Sequence, residues 1–93
     1  MSNQLNKKLI SSLIMNNAKV LDIGCGNGEL LYHLEKTKSI NGQGIEISPK
    51  GVKESVSKGL SVIQGDADID LINFPDNTFD VVILSHTLQA THK

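Results

Sequence analysis

A chain of 93 residues is long enough for one small domain and no more. Its 9 basic and 10 acidic side chains are dispersed for a net charge of -1, which leaves no electrostatic footprint for nucleic acid or anionic lipid. A single cysteine excludes an internal disulfide framework, and no apolar run reaches the length of a signal peptide or a membrane span, so the expected compartment is the cytoplasm.

Residues Gln4 to Met15 carry Leu5, Leu9, Ile10, Leu13 and Ile14 on one side of a helical period. This predicts an amphipathic helix that covers one side of a sheet and stops at the Asn16-Asn17 pair. Val20-Leu21-Asp22-Ile23 then reads as a short buried strand. Glycines at 24, 26 and 28 follow at once, so the chain leaves the strand through a tight turn into a helix over Glu29 to Lys36, with Leu30, Leu31 and Leu34 as its apolar stripe. Strand, glycine turn and helix in that order open a nucleotide-binding α/β unit.

The glycine spacing separates two cofactor classes. In the dinucleotide fingerprint the third glycine lies three residues after the second. Glu29 stands there. The glycines instead alternate behind an acid, Asp22-x-Gly24-x-Gly26-x-Gly28. A carboxylate aimed into this loop repels a pyrophosphate but suits a ligand carrying an ammonium and a sulfonium. Cys25, inside the loop, is expected to be a small buried filler beside the ligand rather than a reactive thiol.

After the polar stretch Lys36 to Asn41, Gly42 to Ile47 predicts a second strand, and Glu46 lies about twenty residues past the glycine loop, where an acid accepts hydrogen bonds from both hydroxyls of an adenosine ribose. Ser48-Pro49 predicts a helix cap and first turn, Val52 and Val56 face the sheet, and Gly59 stops that helix. Leu60 to Gln64 is a third strand emptying into Gly65-Asp66-Ala67-Asp68. Asp22, Glu46 and Asp66 thus sit at three consecutive strand ends on the edge where open α/β sheets bind ligands. Asp66 is placed to reach an adenine amino group, whereas Asp68 and Asp70 read as turn residues. Leu71 to Thr78 is a connection, and Phe79 to Leu84 a fourth buried strand. His86 falls just past that strand on the ligand edge, where it is expected to line the pocket or pack, with a general base as the weaker alternative. His33 and His92 have no partner at metal-ligand spacing, and no metal site is assigned.

The whole pattern resembles the class I S-adenosylmethionine-dependent methyltransferases. The runs VLDIGCGNGELL, GIEISPKGV, VIQGDAD and FPDNTFDVVILSHTLQAT further resemble the MetW family of methionine biosynthesis, in which the last run usually reads LSQTLQAT, so His86 departs from the family pattern. The resemblance implies a Rossmann-like α/β fold, three layers α/β/α, with parallel strands in the order 3-2-1-4. It implies that residues 1–93 are the N-terminal part of a single S-adenosylmethionine-binding domain. The cofactor would be lined by Asp22, Gly24, Cys25, Gly26, Gly28, Glu46, Ile47, Asp66, Ala67 and Ser85, with S-adenosylhomocysteine as the product form. Ser85-His86-Thr87-Leu88 stands where amino-group methyltransferases carry an Asn-Pro-Pro-Tyr type of motif, which argues against nucleic-acid-base and protein-glutamine acceptors.

Two functions follow from the resemblance: an S-adenosylmethionine-dependent methyltransferase, and a non-catalytic partner of the homoserine O-acyltransferase MetX. A nicotinamide-dependent enzyme is a third reading, disfavoured by Asp22 and by the missing third dinucleotide glycine. The family sheet has seven strands, so these 93 residues are expected not to be a working methyltransferase by themselves, and to be marginally stable or to associate through strand four.

Overall fold

The computed structural model describes residues 3–66 and 79–85. In chain order they form α1 (Asn3–Ser12), β1 (Lys19–Ile23), α2 (Glu29–Lys38), β2 (Asn41–Glu46), α3 (Pro49–Ser57), β3 (Ser61–Gln64) and β4 (Val81–Leu84). All neighbouring strands pair in parallel, in the order β3-β2-β1-β4 that the family resemblance implies. Parallel neighbours need crossover connections, and α2 and α3 supply those from β1 to β2 and from β2 to β3.

The helices share one face of the sheet. Ile14, Leu31 and Leu34 form one apolar cluster with Val20, Leu60 and Val62, and Ile10, Val52, Val81 and Ile83 pack against it. Leu31 and Leu34, one turn apart on α2, are fully buried, and each burial contributes about 1.5–3 kcal/mol. Leu21, Ile23 and Ile45 point to the opposite face, where Phe79 packs on them. The second helix layer that the resemblance implies lies outside the described residues, as does the connection 71–78.

Several local expectations are corrected. α1 ends at Ser12, earlier than the apolar pattern suggested, and tightens into Leu13 N–H to Ile10 O and Ile14 N–H to Ser11 O bonds of 3.0 and 3.2 Å. The Ile10–Ile14 row docks, and the side chain of Leu5 lies outside the described residues. Leu9 and Leu13 are offset from that row by one residue, about 100° of helix, and Leu13 is 81% exposed. On α3, Gly51 and Ser55 are the buried residues and Val56 is 53% exposed. Strand β2 ends at Glu46, which leaves Ile47 beyond it. Strand β4 starts at Val81 rather than Phe79, because Asp80 closes the sheet's end: its carboxylate accepts from Lys19 N–H at 2.8 Å and its own N–H donates to Lys19 O at 2.8 Å. It is not buried on both faces either, since Val82 and Leu84 are each 51% exposed on the side away from the helices.

The caps of α3 match the sequence. Ser48 has extended backbone and its Oγ accepts from Gly51 N–H at 3.3 Å, with Pro49 in the first turn. At the other end Gly59 takes φ 85°, and the bonds Gly59 N–H to Val56 O and Leu60 N–H to Ser55 O close a Schellman motif. That closure turns the chain back so that Leu60 packs beneath the glycine loop.

Candidate functional site

The register fixes what meets at the carboxyl edge of the sheet. Asp22 is level with Gly44 on one side and Ile83 on the other, and Glu46 is level with Gln64. Beyond β1 the loop Gly24–Gly28 folds onto the end of β2: the N–H groups of Gly24 and Cys25 both donate to Ile45 O, at 2.8 and 3.3 Å. Gly24, Gly26 and Gly28 have φ of 74, 59 and 84°, the left-handed region in which a Cβ is strained. Two of the three differ in surroundings. A Cβ on Gly28 would collide with Leu60 and lie 2.8 Å from Ser55 Oγ, whereas one on Gly26 would meet nothing within 4 Å. Gly28 is therefore glycine for packing, and Gly26 presents backbone to open space that a ligand can approach.

Asp22 is 1% exposed. Its Oδ1 accepts a 2.7 Å hydrogen bond from Ser85 Oγ, and its Oδ2 is buried without a partner. Burial pushes its pKa up to about 6, and the nearby Glu46 charge adds to the rise while the Ser85 hydroxyl opposes it. An orphaned carboxylate oxygen costs free energy that a cationic group beside it would recover. The fit to an ammonium-bearing ligand thus rests on this atom together with the open face of Gly26.

Glu46 departs from expectation in part. It is buried, and both oxygens already hold backbone: Oε1 accepts from Gly26 N–H at 2.7 Å and Oε2 from Ser48 N–H at 2.9 Å. Each carboxylate oxygen keeps a further acceptor site. Ribose hydroxyls would therefore share the group with the glycine loop rather than own it.

The other residues expected in the site divide clearly. Ser85 is brought to Asp22, as above. Ile47 stands exposed just past β2, and Gln64 Nε2 donates to its carbonyl at 3.3 Å. Asp66 is exposed beyond β3, next to Gly65, whose N–H donates to Glu46 O at 3.1 Å. Cys25 is buried in the helix-side core, and burial together with the Asp22 charge pushes its thiol up to about 11, as suits a filler and not a nucleophile. Ala67 and His86 lie outside the described residues, with Asp68, Asp70 and His92. Among the described residues no cluster of His, Cys, Asp and Glu is arranged to hold a metal ion, and no helix is long and apolar enough to cross a membrane.

Sequence reasoning missed the contribution of α3. Ser55 Oγ donates to Gly26 O at 3.0 Å and Lys58 Nζ donates to Asn27 O at 2.8 Å. The readable signal was the small pair Gly51 and Ser55, one turn apart, on a helix whose valines drew attention instead.

The sequence matches the methionine biosynthesis protein MetW family over residues 4–93. It is 33% identical over 94 aligned positions to the bifunctional methionine biosynthesis protein MetXA/MetW of Rhodopirellula baltica, covering 92% of this chain and 15% of that protein. It is 35% identical to ajmaline N-methyltransferase of Rauvolfia serpentina, covering 75% of this chain and 26% of the relative. A TehB-like SAM-dependent methyltransferase from Corynebacterium glutamicum superposes with a TM-score of 0.75 at 24% identity, over 91% of this chain and 46% of that one, which establishes the Rossmann-like fold. The chain thus spans less than half the length of each of these relatives. With the match running over residues 4–93, the chain belongs to the MetW family of methionine biosynthesis proteins.

Proposed function

We propose that this chain forms the S-adenosylmethionine-binding region of a methyltransferase-like protein of methionine biosynthesis. The observation that carries the reading is the pairing of a buried, half-satisfied Asp22 carboxylate with an open glycine loop one residue beyond the strand. A dinucleotide pyrophosphate would meet that carboxylate as a like charge, while a methionine ammonium would complete it. Asp22 would hold the ammonium side, Gly24, Gly26 and Gly28 would let the backbone approach, Glu46 would accept from the ribose, and Asp66 with Ala67 would border the adenine. Ile47, Cys25 and Ser85 complete the lining. When bound, the sulfonium ligand supplies an activated methyl group. The residues of this chain orient the ligand and exclude water from it. His86, outside the described residues, is a weak candidate for a base.

A second reading is favoured by one specific relative. In the Rhodopirellula baltica protein a MetW part is named in one chain with MetXA. A protein that binds the nucleoside and acts on a homoserine O-acyltransferase would need the same pocket, and copurification with acylation assays separates the two. The nucleoside reading itself is tested by calorimetry on the full-length protein. S-adenosylhomocysteine is expected to bind and NAD not to; binding of NAD alone would reverse the assignment.

A further inference from the structure

Three alternating glycines make the loop Gly24–Gly28 the part of the chain with most backbone entropy to lose, and a ligand that had to order it would give up affinity for every residue it fixed. The structure holds the loop from outside. The central peptide groups are held from both sides: Gly26 N–H donates to Glu46 Oε1 at 2.7 Å, and Gly26 O accepts from Ser55 Oγ at 3.0 Å. The next carbonyl, of Asn27, accepts from Lys58 Nζ at 2.8 Å. Ser55 is 0% exposed and lies within 3 Å of where a Gly28 Cβ would stand, so it is wedged beneath the loop.

The seat of α3 depends on the same contact. A Cβ on Gly51 would lie 2.9 Å from both Gly26 O and Glu46 Cγ, so the helix can approach the loop this closely only with glycine there. The Schellman closure after Ser57 then leaves Lys58 as the C-cap residue, next to the loop it reaches. None of these groups turns toward the open face of Gly26.

We propose that α3 presets the glycine loop for its ligand, with Ser55 and Lys58 as positioning residues that draw the carbonyls of Gly26 and Asn27 away from the binding face. The proposal rests on the nucleoside reading for the identity of the ligand, but the bracing of the loop is independent of it. Ordering is then completed during folding, and the ligand meets a loop that is already competent. Loss of the brace lowers the competent fraction, which reduces apparent affinity through the association rate while leaving the bound contacts, and hence dissociation, nearly unchanged.

The experiment compares the full-length wild type with Ser55→Ala, Lys58→Met and, as a control on the exposed side of the same helix, Lys53→Met. Native-state hydrogen exchange of the amides of residues 24–28 is read without ligand, and S-adenosylhomocysteine kinetics by surface plasmon resonance. Ser55→Ala is expected to weaken binding about tenfold and Lys58→Met about threefold, mostly in the association rate, with faster loop exchange; Lys53→Met should match wild type. Unchanged exchange and kinetics in both brace variants would overturn the proposal and leave the nucleoside reading intact. A wild type that does not bind S-adenosylhomocysteine would remove that reading, and loop exchange would still decide the brace. If Ser55→Ala does not fold, Lys58→Met decides, since that bond lies at the surface.

Discussion

Replacing Asp22 by asparagine isolates the energetic cost built into the site. Moving a carboxyl from 3.8 to about 6 means that the native state binds its proton about 3 kcal/mol more tightly than the unfolded chain does. Between these two values the folded protein carries more protons than the unfolded one, so stability falls as pH rises from about 4 to about 6 and levels off above. At pH 7 the ionised Asp22 therefore opposes folding by about 3 kcal/mol. In Asp22→Asn, Ser85 Oγ can still donate to the remaining carbonyl oxygen, but the new amide nitrogen takes the place of the unpartnered Oδ2 and costs about 1–3 kcal/mol as an unsatisfied donor. The absolute change at pH 7 is thus a small gain or near zero, whereas the pH dependence is decisive. Urea denaturation of the full-length protein from pH 4 to 7.5 should show the wild type losing about 3 kcal/mol relative to the variant across that window. Parallel profiles for the two proteins would refute the burial argument.

The same carboxylate links binding to pH: if a ligand ammonium completes it, S-adenosylhomocysteine affinity should fall by up to about tenfold per pH unit below 6, and a flat calorimetric profile from pH 7 to 5 would place the ammonium elsewhere. Glu46→Gln puts an amide where two backbone N–H groups now donate, so binding should weaken by about 1.5–3 kcal/mol, accompanied by a lower melting temperature; an unchanged affinity and melting point would remove Glu46 from the site. Gly28→Ala combines left-handed backbone with a collision against Leu60, and should cost about 2–4 kcal/mol in chemical denaturation, against near-neutral behaviour if the loop could shift. Cys25, buried with its thiol pushed up to about 11, should resist iodoacetamide at pH 7.5 in the native protein and react once urea unfolds it, as read by peptide mass.

What the sequence determined by itself was the order and type of the elements and the edge on which the site lies. Short apolar runs, two of them followed by glycine or acidic turns, leave few alternatives to parallel strands joined by helices, and parallel strands bring their carboxyl ends to one edge. Local chemistry was equally readable, because a cap such as Ser48-Pro49 or a stop at Gly59 depends on residues a few positions away. Tertiary packing decided the rest. Which half of the α1 stripe docks, why Ser55 rather than Val56 turns inward, and where β4 begins all depend on partners distant in the chain: the sheet face, the glycine loop and the Lys19 backbone. The sharing of Glu46 between Gly26 and Ser48 belongs to the same class. An acid at a strand end announces a hydrogen-bond acceptor; Ser48 N–H is a local donor, but the other, Gly26 N–H, belongs to a loop twenty residues earlier that folds back over it. Periodicity records only which side chains can share a face; the free energy of burial is settled by what that face meets.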